Sequence, residues 1–288
     1  MIRIRICGIS PITAQWRGVS STRSPDPRAR LMQTSDHCDQ SGLLSLAARL
    51  HPGLNGAAAP AVEPGLSPGA ENTQVIAAIQ RVWAEGYPEA GQPYSSVRTW
   101  TLLMWQPVFL SVLGVHGAGA VVPVDRLWQR VEQGVVAGFR LQGGWPGTPE
   151  SEQERIEAAS VHLLRVRDEL LEGLKTVTRI KPLTANRLLA DMLLIAVQRV
   201  GLAVAGFSNE RVEALGRAWL AATGLRGQSR YLPLELPGGQ VVLGLERRAC
   251  CMHYRRDDGC YCSSCPKLSQ SERERRQLEE LSHEAVAV

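Results

Sequence analysis

The sequence predicts a mainly helical α+β fold, with a small antiparallel sheet and a C-terminal cysteine-rich cluster loop. Three observations lead there. Apolar residues recur at helical spacing through the middle of the chain. Near residue 230 that period gives way to a hairpin pattern. Beyond it, Cys250 to Pro266 hold five of the chain's seven cysteines.

Taken in order, residues 1–71 read as a disordered or extended N-terminal region and linker. Arg3, Arg5, Arg17, Arg23, Arg28 and Arg30 face only Asp26 before residue 31, and Ser, Thr and Pro fill the gaps. Met32 reads as an alternative initiator. Pro52 to Gly69, rich in Pro, Gly and Ala, reads as the linker.

Residues 72–229 form a mainly helical domain. Val75, Ile76, Ile79, Val82 and Trp83 outline a first helix, stopped by Gly86 and Pro88. Trp100 to Leu113 predicts a second, broken or kinked at Pro107. Ala120 to Val124 reads as a short strand. Glu150 to Lys175 is amphipathic, with Ile156, Leu163, Val166, Leu170 and Leu174 on one stripe. Thr184 to Val204 is apolar on most sides and so central. Ser208 caps a further helix that ends at Gly224.

Residues 230–270 are a β-hairpin and cluster-binding segment. Tyr231, Leu234 and Leu236 precede Pro237-Gly238-Gly239, and Val241, Val242, Leu243 and Leu245 follow. Pro233 makes the first strand an edge. Residues 271–288 form a charged helical tail, opened by the capping-box pattern Ser271-x-x-Glu274.

Composition excludes several classes. A net charge of +4 on 288 residues does not call for nucleic acid. Met1 to Pro11 alternates Ile with Arg and shows no signal-peptide core. The uncharged run Thr99 to Val124 is interrupted by Gln106-Pro107, His116 and Pro123, so it reads as buried rather than membrane-spanning, with room left for peripheral membrane contact. The expected location is cytoplasmic, where thiols stay reduced and dense cysteine points to metal or redox chemistry.

Four cysteines have a definite arrangement: Cys250-Cys251, ten residues, Cys262, two residues, Cys265. The Cys262-Ser263-Ser264-Cys265 half is a metal knuckle. The adjacent pair is unusual for zinc, whose structural sites draw on two spaced pairs closing a tetrahedron. Neighbouring side chains of an extended strand diverge and reach a larger object, such as a two-iron cluster, more readily than one ion. Zinc remains the rival reading. Cys260 lies inside the spacer and reads as a bystander that could substitute for Cys262. Cys7 and Cys38 read as incidental.

The stretch RRACCMHYRRDDGCYCSSCP resembles the C-terminal signature of FhuF-type siderophore-iron reductases. That resemblance covers about twenty residues. It implies a [2Fe–2S] cluster held by Cys250, Cys251, Cys262 and Cys265, and one-electron reduction of Fe(III) in a siderophore complex to release Fe(II). The rivals are a zinc-stabilised binding module and an iron–sulfur sensor without turnover.

Arg247, Arg248, Arg255, Arg256 and Lys267 flank the signature and are the candidates for docking an anionic ferric siderophore or the electron donor. Asp257-Asp258-Gly259 predicts a turn. Tyr254 and Tyr261 read as a shield or as packing, and His253 as a non-ligand. The tryptophans read as core or rim, and Asp191 as a buried hydrogen-bonding acid. No G-x-G-x-x-G precedes a helix, so the electron is expected from a separate donor such as a ferredoxin or a flavin reductase.

Overall fold

The computed structural model describes residues 40–60, 65–67, 69, 71–143, 145, 147, 149–203 and 207–286. Cys7, Cys38 and the arginine-rich start lie outside them.

Among the described residues are seven α-helices and two small sheets. The order is α1 (Gln40–Leu50), β1 (Gly56–Ala57), β2 (Gly65–Leu66), α2 (Thr73–Gly86), α3 (Gly91–Gly117), β3 (Leu127–Glu132), β4 (Val135–Leu141), α4 (Glu152–Val177), α5 (Pro182–Ala203), α6 (Asn209–Ala222), β5 (Ser229–Glu235), β6 (Val241–Arg247) and α7 (Gln270–Val286). Three helices match their sequence signals closely. Ser151 and Glu154 form a reciprocal capping box at the start of α4. The Ser208 hydroxyl accepts from the Arg211 N–H at the start of α6. α5 lies at the centre, as its all-round apolar surface requires.

α3 is the axis of the molecule. It packs against α2, α4 and α5, and its residues from Tyr94 to Val115 are buried almost throughout. Pro107 does not break it; the helix runs on to Gly117. A proline there removes the N–H that would bond the Leu103 carbonyl. Gln129 of β3 supplies the missing donor, its Nε2 lying 3.3 Å from that carbonyl oxygen. The same amide nitrogen donates to Gln106 Oε1, and Gln106 Nε2 donates to the Gly53 and Gly138 carbonyls. A buried polar chain thus ties the central helix to the four-stranded sheet.

That sheet has the order β1-β4-β3-β2 and is mixed, β1 running parallel to β4. Its hairpin corrects the expectation of a strand at Ala120–Val124, which instead lead into a single 3-10 turn, Val124–Arg126. The reversal falls at Gln133-Gly134, both at positive φ (49° and 75°). A two-residue hairpin with two left-handed residues is the turn whose twist suits the strands; Gln-Gly fills it here instead of the usual Asn-Gly.

The N-terminal expectation is also corrected. Residues 40–60 and 65–66 are not all linker. α1 places Leu43 and Ala47 in the main core, and β1 and β2 form the sheet's edges. Burial against α3 stabilises a helix too short to persist by itself.

The second sheet is the expected hairpin, β5 with β6, in register from Ser229–Arg247 to Glu235–Val241. It lies on α5: Tyr231 Oη donates to the Leu194 carbonyl and Gln198 Nε2 to the Leu243 carbonyl. The tail is not merely solvated. α7 packs on β6, where Gln277 Oε1 accepts from the Leu245 N–H at 2.7 Å. Its capping hydroxyl belongs to Ser269, which accepts from the Glu272 N–H, and not to Ser271.

Candidate metal centre

β6 delivers Arg247 to the end of the hairpin, and the chain leaves the sheet over the next residues. Cys250, Cys251, Cys262 and Cys265 then come together as four buried free thiols, with Met252, Tyr254 and Leu268 packed around them. The sulfurs neighbour one another in a ring. Cys250 lies beside Cys251 and Cys265, and Cys262 beside the same two. The Cys250–Cys265 sulfur separation is 3.9 Å. The divergence expected of the adjacent pair is absent, because the chain is no longer extended there. Met252 is left-handed (φ 59°), an uncommon state for a non-glycine residue that turns the backbone around the pair.

That turn aims N–H groups at sulfur. Met252 N–H donates to Cys250 Sγ at 3.4 Å. The His253 N–H serves Cys251, and the Lys267 N–H serves Cys265. Arg247 Nη1 reaches Cys262 Sγ at 3.8 Å. Every sulfur therefore has a donor from the protein, but the four thiols do not shift alike: Cys250 and Cys262 are pushed up by the thiols of Cys251 and Cys265 beside them. The Cys251 thiol is pushed strongly down by the thiols of Cys250 and Cys262 beside it, with the Arg247 charge adding to the effect. Cys265 is pushed down to about 3 by the thiols of Cys250 and Cys262.

The spacer is built to bring the two halves together. His253–Arg255 form one 3-10 turn, and the Gly259 N–H closes the Asp257-Asp258-Gly259 turn on the Arg256 carbonyl at 2.9 Å. A Cβ at Gly259 would sit 2.1 Å from the His253 carbonyl oxygen, so the turn admits glycine alone. The Cys265 N–H bonds back to the Cys262 carbonyl at 3.1 Å, the tight turn expected of a C-x₂-C knuckle. α7 holds this half from outside: the Ser263 hydroxyl donates to Glu280, and Arg276 donates to the Tyr261 carbonyl.

The cations have separate fates. Arg247 is 5% exposed and pairs with Asp191 of α5, 2% exposed, at 2.8 Å; Asp191 also accepts from the Ser229 hydroxyl. Desolvation works against the Arg247 charge, and Asp191 beside it outweighs that and holds it charged. Arg247 thus stands beside the sulfurs, away from any docking surface. Arg256 is also engaged, in a bidentate pair with Asp258 and with its guanidinium 3.8 Å above the Tyr87 ring. Arg248, Arg255 and Lys267 are exposed. Tyr254 packs against the thiols; Lys267 lies 5.2 Å over its ring, and Tyr261 stacks on it at 4.9 Å. The His253 ring packs towards Tyr94, and burial pushes its pKa down.

Sequence reasoning missed one group beside the centre. Trp83, Tyr87, Tyr94 and Arg98, from α2 and α3 and the turn between them, form one packed group, whose Tyr87 and Tyr94 contact Arg256 and His253. The one signal available was a charge, Arg98, immediately before the uncharged run that starts at Thr99.

The donor set suits iron: four cysteine sulfurs gathered together, each with a hydrogen-bond donor, are the kind of set that a two-iron centre takes as thiolates. Residues 247–267 match the FhuF 2Fe-2S C-terminal domain family. No solved structure matches the chain. The family match covers the cysteine segment alone, and the cofactor it implies is a [2Fe–2S] cluster.

Proposed function

We propose that this protein is a ferric-siderophore reductase of the cytoplasm. Cys250, Cys251, Cys262 and Cys265 hold the [2Fe–2S] cluster, and Cys260, which is disulfide-bonded, stands outside that set. The observation that carries the reading is the set of four buried thiols, each with a hydrogen-bond donor, inside the segment that matches the family. When bound, the cluster supplies one electron at a time. The oxygen donors of siderophores are hard ligands that hold Fe(III) far more tightly than Fe(II). One electron received from a donor such as a ferredoxin or flavin reductase, and passed to the ferric complex, reduces Fe(III) to Fe(II) and loosens its ligands.

The chain's own residues do the rest. The N–H groups of Met252, His253 and Lys267, with the Arg247 guanidinium, offset negative charge at sulfur and so favour the reduced state. Tyr254 and Tyr261 limit water at the centre while keeping it close to the surface, where Tyr261 is 38% exposed. Arg248, Arg255 and Lys267 are the exposed cations available to dock an anionic complex. Among the described residues no helix is long and apolar enough to cross a membrane.

The test is anaerobic. Cluster-loaded, reduced protein is mixed with a ferric hydroxamate while a chelator traps Fe(II). One Fe(II) per cluster, appearing as the cluster reoxidises, is the expected result. A cluster that stays reduced in the presence of every siderophore class tried overturns the proposal.

A further inference from the structure

Three arginines lie in or near the cysteine segment: Arg247 reaches Cys262, Arg256 packs on Tyr87, and Arg98 acts on Cys251 through space; the first two carry an aspartate. Arg247 has Asp191, and Arg256 has Asp258. The third, Arg98 of α3, has none. It is 7% exposed, its Nε lacks any hydrogen-bond partner, and no carboxylate pairs with it among the described residues. Its guanidinium lies 4.3 Å from the centroid of the Trp83 ring, a neutral face that seats a cation without cancelling its charge. A buried cation without a counter-ion is costly, and such groups are normally paired.

The groups that could offset the Arg98 charge are few. Two are the phenols of Tyr94 and Tyr87, neutral near pH 7. The third is the sulfur of Cys251, a thiolate whenever it ligates iron. A [2Fe–2S] centre with four thiolates is itself an anion, and it gains a further negative charge on reduction. We propose that Arg98 is the buried counter-cation of this centre, a positioning residue on the central helix that favours the reduced cluster and couples the helical body to the cluster segment. This rests on the cofactor and not on the siderophore activity, so its test involves no substrate.

The test compares full-length wild type, R98M and R98K. At the potential where half of the wild-type cluster is reduced, followed by EPR, the reduced-to-oxidised ratio in R98M should fall on the order of tenfold. R98K, which keeps the charge, should stay near wild type. Merely lost packing would leave the midpoint unmoved, and an R98M midpoint equal to wild type overturns the proposal. The second readout is thermal melting after chelator has removed the iron. With no cluster to balance it, the Arg98 charge should stabilise nothing, so cluster-free R98M should melt no lower than cluster-free wild type. Cluster-free R98M that is unfolded where wild type is folded also overturns the proposal.

Discussion

The central helix and the cluster segment are held together by opposite means. α3 buries nearly every residue from Tyr94 to Val115 among apolar side chains of α2, α4 and α5. From Arg247 to Leu268 the chain has almost no apolar material of its own: four cysteines, with Met252, Tyr254 and Leu268 around them. It depends on sulfur, on N–H groups aimed at sulfur, and on polar clamps from α5 and α7. A body held by burial should outlast the loss of any one ligand, because that driving force is spread over many side chains. A segment held by ligation should not, because its binding free energy is folding free energy.

The largest test of that contrast is Cys265→Ser. Its iron content and visible colour should be lost, while far-UV circular dichroism changes little because the helices lie elsewhere in the chain. A collapse of helicity would show that the body leans on the cluster after all. Next in size is Asp191→Ala, which cuts the link between the two regions. It leaves Arg247 buried without its carboxylate, a loss on the order of 3–5 kcal/mol in denaturant unfolding. A loss well under that would mean that the thiolates alone satisfy Arg247.

The smallest test titrates the body alone. His116 at the end of α3 is buried, with Trp219 Nε1 donating to its Nε2 at 2.8 Å and Glu152 3.1 Å from its Nδ1. Nε2 is therefore the acceptor, and the proton sits on Nδ1. Burial pushes the folded pKa down from 6.5, and the Glu152 carboxylate only partly offsets it. The unfolded chain then binds the proton first, so stability is full above about pH 6.5 and falls as the pH drops towards the folded value. Denaturant midpoints should decline on acidification through this range, and His116→Gln should flatten the slope. An unchanged slope would move the titration elsewhere.

Much of this was legible beforehand. The spacing of Cys250, Cys251, Cys262 and Cys265 picked out the thiols that the fold gathers, and set Cys260 apart from them. The periodicity of α4, α5 and α6 and the Pro237-Gly238-Gly239 turn were equally plain. What escaped notice had its cause elsewhere in the chain. α1 is a short helix that only tertiary packing, on α3, α5 and β1, stabilises, and the Gln133-Gly134 turn carries a weaker signal than Asn-Gly. Arg247 was read as a surface cation because Asp191, its partner, lies 56 positions away.

The sequence by itself determined which residues can be helix or hairpin, and which four sulfurs make a set. Those properties depend on neighbours along the chain. Only the tertiary structure decided that Pro107 stays helical because Gln129 supplies the lost donor, that Arg247 faces sulfur, and that Arg98 is buried with no aspartate of its own. Burial and charge compensation depend on what is near in space, and the partners concerned come from different helices and strands.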